Sequence, residues 1–168
     1  MNLLIALALR KLSELENYAG TSGLQKHYEI EAEKLFQKTL EFYYVPEKQL
    51  LADDKEHRFY SEHAQVLAML SHPLGELWNG MRNEPNLTNC GIYFSHYYLE
   101  ACREYGKTEL FHARLKRWSE LENLGLKTLP EEFCFPRSDC HAWSSHILYH
   151  SLLQTGKVQI PGKNQENG

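Results

Sequence analysis

Apolar positions recur at helical spacing along most of this chain. Over residues 2–18, Leu3, Leu4, Leu7, Leu12 and Leu15 fall close to i, i+3/i+4, and Gly20 supplies a stop because glycine tolerates the left-handed conformation there. A second helix is predicted from Ser22 to Phe42, with Tyr28, Leu35, Phe36, Thr39 and Leu40 on one side and Glu and Lys on the other. Pro46 ends it. Residues 42–60 break the pattern: Phe42, Tyr43, Tyr44 and Val45 are β-prone, Pro46 to Gln49 reads as a turn, and Leu50-Leu51 follows, as in a short hairpin. A third helix starts at Ser61 as N-cap with Glu62 in its first turn, and carries Ala64, Leu67, Ala68 and Leu70 to about Ser71. Beyond Pro73 a short helix is predicted from Leu74 to Met81. The fifth, from about Gly91 to Tyr105, is strongly aromatic and stops at Gly106. Thr108 is the expected cap of the sixth, which ends at Gly125. Residues 125–138 hold Pro130 and Pro136 and read as loop. Asp139 is the expected cap of a seventh helix through His141, Trp143, Ile147, Leu148 and Leu152.

Seven helices paired as hairpins predict an all-α fold. One helical domain is expected over residues 1–156, followed by a polar tail or linker over 157–168. The spacings between the aromatic helices are unequal, so no fixed repeat is visible.

Composition narrows the function classes. The chain has 168 residues, with 18 Lys+Arg against 22 Asp+Glu, and a formal charge of −4. The slight acidity argues against a general nucleic-acid binder, which shows a basic face. The apolar run from Leu3 to Leu9 is far shorter than the roughly 20 residues that span a bilayer. Its positive charges follow it instead of preceding it, unlike a signal peptide. No membrane partner is expected, and a cytoplasmic location is the default reading. Cys90, Cys102, Cys134 and Cys140 show no CxxC spacing, so free and mostly buried thiols are expected.

The stretch richest in chemistry is Gly125 to Ser144. It holds Glu131, Glu132, Asp139, Arg137, His141 and Trp143, all in a loop or at a helix start. A Trp beside carboxylates suits a sugar: the ring covers the C–H face and the charged groups bond hydroxyls. Glu131 or Glu132 is placed to act as a general base on water. The bland alternative is a solvated loop with a structural cap and a core Trp. His146 and His150 are i, i+4, but no further ligand is fixed by spacing. They read as ordinary helix-face histidines, with no metal and no cofactor expected. His63 sits in the first turn of its helix beside Glu62, and is either a cleft residue or a capping one. Tyr93, Phe94, Tyr97 and Tyr98 read first as core and second as a ligand platform.

These residues carry a family resemblance. Arg137-Ser138-Asp139-Cys140-His141-Ala142-Trp143-Ser144 resembles the RSDCHAWS motif of bacterial α-L-rhamnosidases, glycoside hydrolase family 78. Gly125 to Glu131 is similar to that family's GLTTxxE segment, with Lys127 and Pro130 as departures. Tyr60-Ser61-Glu62-His63-Ala64-Gln65 resembles the start of one inner helix, and Tyr93-Phe94-Ser95 with Tyr97 to Ala101 resembles another. The resemblance implies an (α/α)6 six-hairpin barrel of which this chain forms about the C-terminal half. It implies hydrolysis of terminal α-L-rhamnosides with inversion, by one carboxylic acid and one carboxylate base. The base falls on Glu131; His141 and Trp143 line the sugar site, with His63 and Phe94 as further contacts. The family's acid-bearing loop has no counterpart here, so the isolated chain is expected to be inactive. The expected partners are a rhamnose-containing glycoside and either the missing barrel half or further copies of the chain. The competing class is a non-catalytic, solenoid-like helical module that binds glycan or peptide.

Overall fold

The computed structural model describes residues 1–134 and 136–155, with the side chain of Leu124 outside the description. The expected tail over 157–168 therefore lies outside the described residues. Helices dominate, and the chain divides into two compact units, Met1–Cys90 and Gly91–Gly168.

The first unit opens on α1 (Asn2–Ala19) and α2 (Ser22–Tyr43), packed against each other, with α1 also against α3 (Glu62–Ser71). Gly20 adopts φ 80°, and its N–H and that of Thr21 return to Asn17 and Glu16. This is the glycine stop that the pattern requires. The buried stripe is Leu3, Ala6 and Leu7 from α1 with Ala32 and Phe36 from α2. Burying a Phe such as Phe36 contributes about 1.5–3 kcal/mol. Its ring also stacks on His72, with centroids 3.5 Å apart.

The expected hairpin is present: β1 (Tyr44–Val45) pairs antiparallel with β2 (Leu50–Leu51) in the register Tyr44↔Leu51 and Val45↔Leu50. Its turn needs Gln49 at φ 53°. Gly80 of α4 (Leu77–Asn83) lies under that turn, where an added Cβ would stand 2.7 Å from the Lys48 carbonyl and closer still to that of Gln49. Gln65 supports the hairpin from below. Fully buried, it accepts a bond from Leu51 N–H (2.9 Å) and donates to the Leu51 (2.8 Å) and Ser61 (3.0 Å) carbonyls.

Ser61 precedes α3 as expected, but its hydroxyl donates to Asp53 Oδ1 (2.8 Å) instead of capping the helix. Asp53 offers a charged acceptor, the stronger partner. The short helix after Pro73 begins at Leu77, later than the predicted Leu74, with turns at residues 74–76 leading into it.

In the second unit, α5 (Ile92–Glu104) packs on α6 (Thr108–Glu120) and on α7 (His146–Gln154). Lys107, not Thr108, precedes α6, and Thr108 is its first helical residue. Arg114 of α6 is buried, donates to Ser95 Oγ (3.2 Å) and stands 3.9 Å over the Tyr98 ring. The aromatic charge–quadrupole contact compensates part of the lost hydration. A 3-10 turn at Leu121–Leu124 ends at Gly125 (φ 69°), the predicted stop. Ile92, Trp118 and Leu121 form a core cluster with Leu129, Phe133 and Ile147 against it.

The seventh helix is shorter than expected. A 3-10 turn, Ala142–Ser145, precedes α7, so Asp139 stays in the loop and caps nothing. The loop's own bonds account for this: His141 N–H donates to the Leu129 carbonyl (2.8 Å), holding His141 in an extended conformation. The cysteine expectation holds for bonding and half of it for burial. None of the four is in a disulfide, with Cys90 and Cys102 buried and Cys134 and Cys140 exposed.

Candidate functional site

The loop between α6 and α7 is folded back on itself. Glu131 N–H donates to the Ser138 carbonyl (2.9 Å), and His141 N–H reaches Leu129. Ser144 Oγ donates to the Pro130 carbonyl, and the Trp143 indole N–H donates to the Glu131 carbonyl (3.1 Å). Three of the residues singled out in the sequence, Glu131, His141 and Trp143, thus meet at one place. The His141 and Trp143 rings lie 3.9 Å apart, and Tyr93 of α5 lies 5.3 Å from Trp143 on centroids.

The two glutamates have different surroundings. Glu131 is buried and its carboxylate is gripped by Arg137, with Nε 3.1 Å from Oε2 and Nη2 on Oε1. That guanidinium holds the Glu131 carboxyl below the usual carboxylate range, with His141 adding in the same direction. Arg137 itself is mostly solvent-exposed, at 85% of its side-chain surface. Glu132 is exposed and lies over Gly91, the residue before α5, where an added Cβ would stand 2.5 Å from Oε2.

A cavity of about 140 Å³ opens beside this loop, lined by Tyr93, His96, Tyr97, Trp143 and His146. Its walls are aromatic: Tyr93 and Tyr97 are 6.3 Å apart and edge-on. Burial pushes the Tyr97 hydroxyl up, and the neighbouring Tyr93 hydroxyl adds to it. Phe94 lies against Tyr97, ring centroids 5.0 Å apart and tilted by 42°. Of the aromatic four, Tyr98 turns away and is buried under Arg114, while Tyr93 is exposed. His63 belongs to α3 of the first unit and is half-buried.

Sequence reading did not single out His96. It lies between Tyr93 and Tyr97 on α5, and its Nδ1 is 3.1 Å from His150 Nε2. His146 joins them, donating from Nε2 to the Ile92 carbonyl (2.9 Å). The ring nitrogens these three offer lie within 4.8 Å of one another. Burial disfavours the charged form of all three: it pushes His96 and His146 below the usual imidazole value and His150 down to about 3. A signal existed in the His146/His150 spacing, but the third member is some fifty residues away in sequence.

Among solved structures, a rhamnosidase from Klebsiella oxytoca with rhamnose bound has a similar fold, at a TM-score of 0.78 and 18% identity. The match covers 92% of this chain and 33% of that one, so the chain spans about a third of that rhamnosidase's length. No protein-family model and no curated protein matches the chain. No helix among the described residues is long and apolar enough to cross a membrane. The all-α fold expected from the hydrophobic pattern is therefore present, and it is a rhamnosidase-like fold.

Proposed function

We propose that this chain is part of the catalytic (α/α)6 barrel of an inverting α-L-rhamnosidase of glycoside hydrolase family 78, and carries the general-base half of its site. The observation that supports this most is the junction of Glu131, His141, Trp143 and Tyr93 beside an aromatic cavity, on a fold like that of a rhamnose-bound rhamnosidase. In this reading both compact units belong to one barrel domain. The Trp143 indole and the Tyr93 ring cover the C–H face of the sugar, and His141 and Phe94 complete the contacts from this unit.

Glu131 is the base. A base must be ionised when the water arrives, and Arg137 keeps it so. Arg137 also occupies both carboxylate oxygens, so one of them has to be released to the water; the exposed guanidinium has room to swing away. Inversion places the acid on the other side of the sugar, with the two carboxyl groups about 6.5–9.5 Å apart to admit that water. The acid is supplied by the part of the barrel that faces this one, and without it turnover is absent.

L-Rhamnose titrated into the full chain, followed by saturation-transfer NMR and by tryptophan fluorescence, tests the sugar site. The expected result is saturable binding that Trp143→Ala weakens at least tenfold. Binding unchanged in Trp143→Ala, or equal binding of D-glucose, contradicts the assignment. Binding of peptides in preference to any sugar supports the non-catalytic module instead.

A further inference from the structure

We infer that His96, His146 and His150 form a binding site for a divalent transition-metal cation, zinc first, with one coordination position left open toward the aromatic cavity. The distances suit such an ion. Zinc–imidazole bonds of about 2.0–2.1 Å set tetrahedral ligand nitrogens about 3.3 Å apart. His96 Nδ1 and His150 Nε2 already stand at 3.1 Å, and all three donor atoms lie within 4.8 Å of one another. Small rotations of exposed-side rings close that difference, since His96 and His146 are only half-buried.

The ring nitrogens that face outward from the trio argue in the same direction. A metal-binding histidine directs its other N–H to a carbonyl or carboxylate, which fixes the tautomer. His146 does so with the Ile92 carbonyl, leaving a buried Nδ1 lone pair with no hydrogen-bond partner. His150 Nδ1 faces Glu100 Oε1 at 3.8 Å, and both atoms are buried without a hydrogen bond. A buried polar atom left in this way costs about 1–3 kcal/mol, so its retention calls for an explanation. A cation explains both: it takes up the His146 lone pair directly, and by charging the His150 ring it draws the Glu100 carboxylate onto Nδ1–H.

The donor chemistry selects the metal class. Three neutral imidazoles suit zinc, copper, nickel or cobalt over calcium or magnesium, which prefer oxygen. The Arg103 charge near the trio is paired with Glu100. His96 and His146 both line the cavity, so the fourth ligand, a water or a hydroxyl of a bound molecule, sits on the cavity side.

The test uses the full, untagged, metal-stripped chain. Calorimetry with ZnCl₂ is expected to give one ion per chain, and CoCl₂ to give the intense visible bands of tetrahedral cobalt. On zinc addition, ¹⁵N shifts of the imidazole nitrogens of His96, His146 and His150 should move together. This readout needs no variant. His96→Gln is expected to lower affinity at least tenfold, whereas the exposed His27→Gln and His112→Gln leave it unchanged. No cobalt bands, shifts confined to other histidines, or zinc affinity that follows His27 and His112 would overturn the site.

Discussion

Replacing Gln65 by leucine tests a buried side chain that ties the hairpin to α3. The change keeps volume and removes the amide. It strands Leu51 N–H and C=O, both in a residue with no solvent exposure. Each stranded group costs about 1–3 kcal/mol. Extra apolar burial by the leucine returns on the order of 1 kcal/mol. The Ser61 carbonyl is left out of this sum because it stands at the start of α3, where it also serves the helix. The net expectation is a loss of about 1–5 kcal/mol, which at a mid-range urea slope of about 2 kcal/mol/M moves the midpoint down by about 0.5–2.5 M. Urea unfolding followed by circular dichroism measures the midpoint. Amide exchange at Leu51 measures the cause, because that N–H loses the Gln65 acceptor and should exchange faster than its neighbours. Glu at position 65 keeps the acceptor but removes the donor and buries a charge, so Gln65→Glu should be worse than Gln65→Leu. An unchanged midpoint with Leu51 still protected would refute the role given to Gln65.

Gly80→Ala should destabilise by about 1–3 kcal/mol, since its Cβ meets the hairpin carbonyls, whereas Gly23→Ala, in open space on α2, should be neutral or stabilise by about 0.4–1 kcal/mol; thermal melts rank the two. Arg137→Ala should raise the Glu131 carboxyl pKa, seen by carbon-detected NMR titration. The sign follows from the lowered native value: the ion pair adds stability above the unfolded carboxyl pKa and loses it as pH falls through the folded one, so the variant should lack that acid-side loss. Disulfide-exchange reagents should label Cys134 and Cys140 in the native chain and reach Cys90 and Cys102 only on unfolding; fast labelling of all four contradicts the burial.

Much of this fold is legible in apolar spacing and glycine stops. Gly20, Gly106 and Gly125 all take positive φ where the pattern ends a helix, and the break at residues 42–60 is a hairpin. Capping was less legible, because a hydroxyl or carboxylate bonds whatever acceptor or donor the tertiary fold brings near. Ser61 prefers Asp53, and Asp139 is held in a loop by the His141–Leu129 bond. Buried polar residues escape periodicity altogether: Gln65 and Arg114 interrupt apolar faces, yet each is placed by partners distant in sequence. In the candidate site, Glu131, His141 and Trp143 come together because they lie within one loop and its outgoing turn. His96 and Tyr93 join from α5, a long-range pairing that no local spacing encodes.

The proposed role of Glu131 as a glycosidase base is tested most directly by turnover in a complete site. In a chimera, this chain replaces the third of the Klebsiella oxytoca rhamnosidase that it matches, and p-nitrophenyl α-L-rhamnoside is the substrate. The chimera should turn over. Glu131→Gln should abolish that turnover, by on the order of 10²–10⁴-fold, because glutamine keeps the shape but takes no proton from water. Glu132→Gln should leave turnover mostly intact. Full turnover in Glu131→Gln, with or without loss in Glu132→Gln, would contradict the claim.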